Sequence, residues 1–140
     1  MSPARKPSDN VIDDLVAEAR RAKKRAYAPY SEFRVGAAVL AGGRIYSGAN
    51  VENAVYPLSV CAERSAVAAA VSAGKREIRA VAVVGDESDP TPPCGGCRQV
   101  LHEFGPEMLV ISESAGGRRA EWVLSALLPS PFGPSSLERG

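Results

Sequence analysis

Two short strings, Cys61-Ala62-Glu63-Arg64 and Pro93-Cys94-Gly95-Gly96-Cys97, contain all three cysteines of the chain and space them as metal ligands. A structural zinc site normally closes on four protein ligands, whereas a catalytic one keeps three and leaves the fourth position to water. Thiolates also select zinc over magnesium or calcium. Glu63 lies two residues beyond the first thiol, where it can hydrogen-bond such a water without binding the metal. It would take the water's proton during attack and hand it to a leaving amine. Otherwise it is a glutamate that merely complements a helix N-terminus. Two other readings of the cysteines fit less well. His102, as a fourth ligand of a closed site, would sit well round a helix from Cys97. A Cys94/Cys97 redox pair leaves Cys61 and Glu63 unexplained.

This chemistry needs elements that bring the thiols together. Cys61 immediately precedes a predicted helix, and Cys94 and Cys97 span the start of another. Free N–H groups at helix starts lower thiol pKa values and favour the thiolate. Gly95 and Gly96 clear side chains from the turn. Three thiolates on a divalent cation leave a net charge of about −1, so neighbouring cations matter. Arg64 and Arg98 each follow a cysteine string. Arg64 is read as donating hydrogen bonds to ligand sulfurs in preference to being a surface arginine, and Arg98 as either.

The remaining elements follow from apolar periodicity. Apolar residues recur at helical spacing from about Val11 to Tyr27, with acids early and a basic cluster late. Val35 to Ala41 and Arg44 to Val51 read as a β-hairpin, Ala62 to Ala73 as a helix and Ala80 to Val84 as a buried strand. Gly96 to Phe104 reads as a helix, Met108 to Ser112 as a strand, and Glu121 to Leu128 as a last helix or turn. The order predicts an α/β sandwich on a mixed sheet. Residues 1–8 read as a flexible arm, 9–132 as one zinc-dependent domain and 133–140 as a flexible tail.

Composition narrows the function. The chain has 140 residues, 45% hydrophobic and 24% charged, which suits one globular domain. A formal net charge of +1 gives no long-range pull towards nucleic acid or an anionic membrane. No apolar run suggests a membrane span. The polar N-terminus is unlike a secretory signal, and with three unpaired thiols it points to the cytoplasm.

The strings Cys61-Ala62-Glu63-Arg64-Ser65-Ala66 and Pro93-Cys94-Gly95-Gly96-Cys97-Arg98-Gln99-Val100 resemble those of the short, three-cysteine, homotetrameric cytidine deaminases. In zinc deaminases as a class a glutamate that is not a ligand is the acid/base. The resemblance runs from about Tyr30 to Phe132. It implies a three-layer α/β/α sandwich with a mixed, about five-stranded sheet and one Zn²⁺ per subunit on Cys61, Cys94 and Cys97. It also implies a homotetramer acting on a small nucleoside in pyrimidine salvage. Phe33 would lie against the pyrimidine, unless it is a core residue. Asn50 and Glu52 would bind sugar hydroxyls, the Ala54 backbone would help read the base, and Tyr56 would approach the sugar. Phe132 would reach a neighbouring subunit's base. Ala49 stands where relatives often have a non-ligand cysteine.

The expected reaction is hydrolysis of cytidine and 2′-deoxycytidine to uridine and 2′-deoxyuridine, with release of ammonia. The alternatives are a deaminase of a modified cytosine nucleoside such as blasticidin S, and a zinc-stapled binding module without catalysis. A nucleic-acid editor would need a basic groove, against which the near-neutral charge argues.

Overall fold

The structure is a computed structural model that describes residues 6–137. The order is α1 (Asp9–Lys23), β1 (Val35–Ala41), β2 (Arg44–Ala49), α2 (Ala62–Ser72), β3 (Ile78–Gly85), α3 (Gly95–Phe104), β4 (Leu109–Glu113), β5 (Arg119–Val123) and α4 (Leu124–Leu127). The five strands form one sheet in the order β2-β1-β3-β4-β5. β3 and β4 are parallel, and every other neighbouring pair is antiparallel.

Two apolar layers flank this sheet, giving the expected three-layer sandwich. Leu15, Val16 and Ala19 of α1 are fully buried against Ala38, Ala80, Ala82 and Ile111. The opposite face packs Ala62, Ala66 and Ala70 of α2 and Leu101 of α3 against Ala37, Val39, Val81 and Val110. Strand residues alternate between the two layers, as the pleat requires. The alanine face of α2 allows a close approach to the sheet. At Gly48 of β2 an added Cβ would lie 2.5 Å from the Ala66 nitrogen, so only glycine admits the helix there. α2 carries Glu63 near its start, so this contact sets the depth of the carboxylate.

Three expectations change. α1 ends at Lys23 rather than near Tyr27. The Tyr27 backbone is engaged elsewhere, donating to the Asn50 carbonyl at 3.0 Å and accepting from the Glu52 N–H at 2.8 Å. Residues 119–123 form an edge strand before a single helical turn, rather than a helix or turn from Glu121. Ser8, assigned to the arm, caps α1, its Oγ accepting from the Val11 N–H at 3.3 Å. Residues 1–5 and 138–140, the outer parts of the expected arm and tail, lie outside the described residues. Pro134–Leu137 of the tail form a 3-10 turn. No helix among the described residues is long and apolar enough to cross a membrane.

Candidate metal centre and active site

The first residues of α2 and α3 build the site. Cys61 is the N-cap of α2 and Cys94 the N-cap of α3, and neither thiol caps its own helix. Both sulfurs are instead directed to a cluster with Cys97, in which the three Sγ atoms lie within 4.8 Å of one another. Cys97 is buried, Cys61 half-buried and Cys94 exposed. The donor set and spacing fit one zinc ion, the sulfurs being the right number and type for an open catalytic site.

The cluster lowers the cost of losing its first proton. Cys61 is pulled down to about 6, first by a hydrogen bond from Cys97, against the effect of burial and with help from Cys94 and the charge of Arg64. The Cys97 thiol is pushed up, chiefly because it shares that bond with Cys61 and is buried. One thiolate is thus solvated by its neighbours before a metal displaces the remaining protons.

Glu63 lies in the first turn of α2 and is 6% exposed. Burial, above all, raises its carboxyl above the ordinary value. A backbone hydrogen bond and one from Cys97 act against this, while the nearby charges of Cys61 and Glu87 add to it. A carboxyl raised in this way can hold and release a proton nearer neutral pH.

The two arginines differ. Arg64 is exposed and acts on Cys61 through its charge. Arg98 is part-buried, with Nε donating to the Pro93 carbonyl at 2.7 Å and Nη1 to the Leu127 carbonyl at 3.0 Å. It therefore braces the turn that holds Cys94 and Cys97.

A cavity of about 250 Å³ opens beside the cysteines, lined by Phe33, Asn50, Cys61, Glu63, Glu87 and Cys94 among others. The structure thus brings Phe33 and Asn50 to the metal residues. Phe33 is 40% exposed, so it is not a core side chain. Asn50 Oδ1 accepts from the Val35 N–H at 2.9 Å, and its Nδ2 donates to the Phe33 carbonyl at 2.8 Å. Asn50 thereby holds Phe33 at the mouth and keeps one N–H and one lone pair for a ligand.

Glu52 lies apart from this cavity. With Tyr30, Ser31, Tyr56 and Ser59 it lines a neighbouring one of about 330 Å³. Its Oε1 accepts from the Tyr30 N–H at 3.0 Å and the Ser31 N–H at 3.1 Å, and its Oε2 accepts from the Ser31 hydroxyl. The bonds from Ser31 hold its carboxyl below the usual range, so it is ionised at neutral pH. Tyr56 is exposed and meets Tyr30 edge to face, with ring centroids 6.1 Å apart. Ala54 is exposed in a loop shaped by Asn53, whose Oδ1 accepts from the Val55 N–H at 2.8 Å. Phe132 lines neither cavity. Its ring is exposed, and its carbonyl accepts from Gln99 Nε2 at 2.5 Å.

Glu87, Thr91 and Pro92 also line the first cavity and were not foreseen. The proline-rich stretch between β3 and Cys94 read only as a loop. No local signal singles out Glu87, which lies seven residues before Cys94 with Asp89 nearer to it.

A mixed five-stranded sheet with a three-cysteine cluster at two helix starts and a buried glutamate beside it is the architecture of a zinc-dependent deaminase. The model of the family described as "Cytidine and deoxycytidylate deaminase zinc-binding region" matches residues 9–113. The cytidine deaminase of Sporosarcina psychrophila is 45% identical over 128 residues, covering 90% of this chain and 94% of that protein. The cytidine deaminase of Halalkalibacterium halodurans is 48% identical over 120 residues, covering 84% and 91%. The crystal structure of cytidine deaminase from Burkholderia pseudomallei superposes with a TM-score of 0.83 at 44% identity, covering 86% of this chain and 98% of that one. The chain belongs to the zinc-dependent cytidine deaminase family.

Proposed function

We propose that this protein hydrolyses cytidine and 2′-deoxycytidine to uridine and 2′-deoxyuridine, releasing ammonia in pyrimidine salvage. The observation that carries this reading is the shared cavity of Glu63, Cys61, Cys94, Phe33 and Asn50. Zinc on Cys61, Cys94 and Cys97 supplies, when bound, a water acidic enough to attack at neutral pH. Glu63 accepts the proton of the attacking water and passes it to the ring nitrogen N3, then takes the proton of the new hydroxyl on carbon 4 and delivers it to the departing amine. Its burial suits both directions of transfer. The ring of Phe33 faces the pyrimidine, and the free half of the Asn50 amide binds a sugar hydroxyl. Glu52 and Tyr56 serve the sugar from the adjacent cavity, with the Ala54 backbone near the base. An ionised carboxylate there accepts from sugar hydroxyls and repels a phosphate, which favours a nucleoside over a nucleotide.

We further read the working form as a homotetramer in the cytoplasm. Tyr30, Val55, Tyr56 and Leu58 are exposed around the Glu52 cavity, and Phe132 is 61% exposed. Such an apolar rim marks an interaction surface. A neighbour's Phe132 would close the cavity over the base.

Turnover of the zinc-loaded protein, followed by ultraviolet absorbance, tests the reading on cytidine, deoxycytidine, cytosine, cytidine monophosphate and blasticidin S. Rapid loss of the two nucleosides, with little reaction of the base or the monophosphate, is expected. Silence on both nucleosides at full zinc occupancy would sink it. Reaction of blasticidin S alone would move the substrate to modified cytosines, and silence on every compound would leave a binding module.

A further inference from the structure

The backbone from Tyr30 to Arg34 belongs to no helix or strand, yet every N–H from Tyr30 to Val35 has an acceptor. Glu52 Oε1 takes those of Tyr30 and Ser31, and the Ala28 carbonyl takes that of Glu32 at 3.0 Å. Ser31 Oγ takes that of Phe33 at 3.0 Å, Asp86 Oδ2 that of Arg34 at 3.0 Å, and Asn50 Oδ1 that of Val35. Within this segment Glu32 has a φ of 59°, a left-handed conformation that residues other than glycine seldom adopt. Such a residue persists only where its surroundings over-determine it. The bond from the Phe33 N–H to Ser31 Oγ spans it directly.

Ser31 is the joint of this arrangement. The ionised Glu52 can only accept, so the Ser31 hydroxyl must donate to its Oε2. An Oγ lone pair is then left for the Phe33 N–H. One hydroxyl thus ties the carboxylate in one cavity to the backbone of the ring that lines the other. We propose that Ser31 is a positioning residue for the nucleoside, fixing the Glu52 carboxylate and the Phe33 ring relative to each other before the ligand arrives. The proposal rests on the deaminase reading above, in which Glu52 serves the sugar and Phe33 the base. With Oε1 filled by two N–H groups and Oε2 by one hydroxyl, Glu52 keeps a lone pair of Oε2 for a sugar hydroxyl. The nucleoside meets both contacts already oriented, so less of its binding energy is lost in ordering them. Without the Ser31 hydroxyl, the Phe33 N–H loses its acceptor and Glu32 is free to relax. The ring and the carboxylate then move independently.

The test is steady-state turnover of cytidine by the zinc-loaded protein and its Ser31→Ala and Ser31→Thr variants, each checked for zinc content and melting temperature. Ser31→Ala is expected to raise KM on the order of tenfold and to change kcat far less, because the lost contacts hold substrate and transition state alike. Ser31→Thr keeps the hydroxyl and should recover most of that loss. A merely structural role would reduce the amount of folded, zinc-loaded enzyme, which lowers the apparent kcat and leaves KM where it was. An unchanged KM in folded Ser31→Ala, or an equal rise in Ser31→Thr, would overturn the proposal. If Ser31→Ala does not fold, Glu32→Val opposes the same left-handed turn and leaves the hydroxyl in place. KM should then rise likewise, and an unchanged KM or a second failure to fold would overturn the proposal. Turnover by the unaltered protein separates the two readings. Activity with KM unchanged across the variants defeats only the role of Ser31, whereas inactivity on cytidine and deoxycytidine defeats the function and this inference with it.

Discussion

Arg98 Nε donates to the Pro93 carbonyl at 2.7 Å, so the residue after the last cysteine holds the residue before the middle one. The same guanidinium reaches the Leu127 carbonyl at the end of α4. Arg98→Ala removes both bonds and leaves two part-buried carbonyls short of a donor, costing on the order of 1–3 kcal/mol for each. Zinc should then be lost to a chelator faster than from the unaltered protein, and the melting temperature should fall. Arg98→Lys, a point charge without the planar fork, should recover only part of the loss. Chelator-competition kinetics with both variants decide this, and unchanged zinc loss in Arg98→Ala would show the brace to be irrelevant.

Glu63→Gln should keep the fold and the zinc while lowering kcat by at least ~10²–10⁴-fold, the usual share of a positioned acid/base. Metal analysis and steady-state rates on one preparation check this. A variant that retains zinc and most of its kcat would remove Glu63 from the proton path.

Gly48→Ala tests how α2 is seated. A Cβ there would lie 2.5 Å from the Ala66 nitrogen and 2.6 Å from the Ser65 Cβ, so the helix must retreat. Overpacking of this kind costs about 1–3 kcal/mol. Because α2 carries Glu63, kcat should fall together with the melting temperature. Loss of stability with unchanged kcat would show that the start of the helix does not follow its middle.

Acid should destabilise the protein through two carboxylates that are paired with basic side chains. Burial works to raise Glu113, but hydrogen bonds from Arg20 at 2.5 Å and from Arg119 at 2.9 Å outweigh it and hold it below the reference value of 4.5. Asp86 is held below its reference of 3.8, chiefly by Lys23. A carboxyl depressed in the folded state stabilises above its unfolded pKa, and that stability is lost as pH falls through the folded value. Melting temperature should therefore hold steady down to about pH 5 and drop below about pH 4. Glu113→Gln should lower it at pH 7 and converge on the unaltered protein in acid. Parallel curves at every pH would contradict the assignment.

The elements that could be read in advance were those whose signal is local. The apolar runs of β1 and β3, the alanine face of α2 and the Cys94/Cys97 spacing each declare themselves within a few residues. β5 did not, because Arg119 and Glu121 occupy an edge strand of five residues that buries little. The end of α1 is not legible locally, because the Tyr27 backbone is claimed by Asn50 and Glu52, far along the chain. The site divides the same way. Its ligands and Glu63 are written in two strings, whereas the clamp of Asn50 on Phe33 exists only after the sheet has formed.

Cysteine stands at the N-cap of both α2 and α3, where serine or aspartate would tie down the first turn, as Ser8 does for α1. The metal thus inherits the task of fastening two helix ends. Stripping it should fray both from the same point, and amide hydrogen exchange should quicken at Glu63, Arg64, Gly96 and Cys97 while the start of α1 stays protected. The ion that readies the water is then also the knot in the thread, and the chain's endurance in the cell would follow its zinc supply.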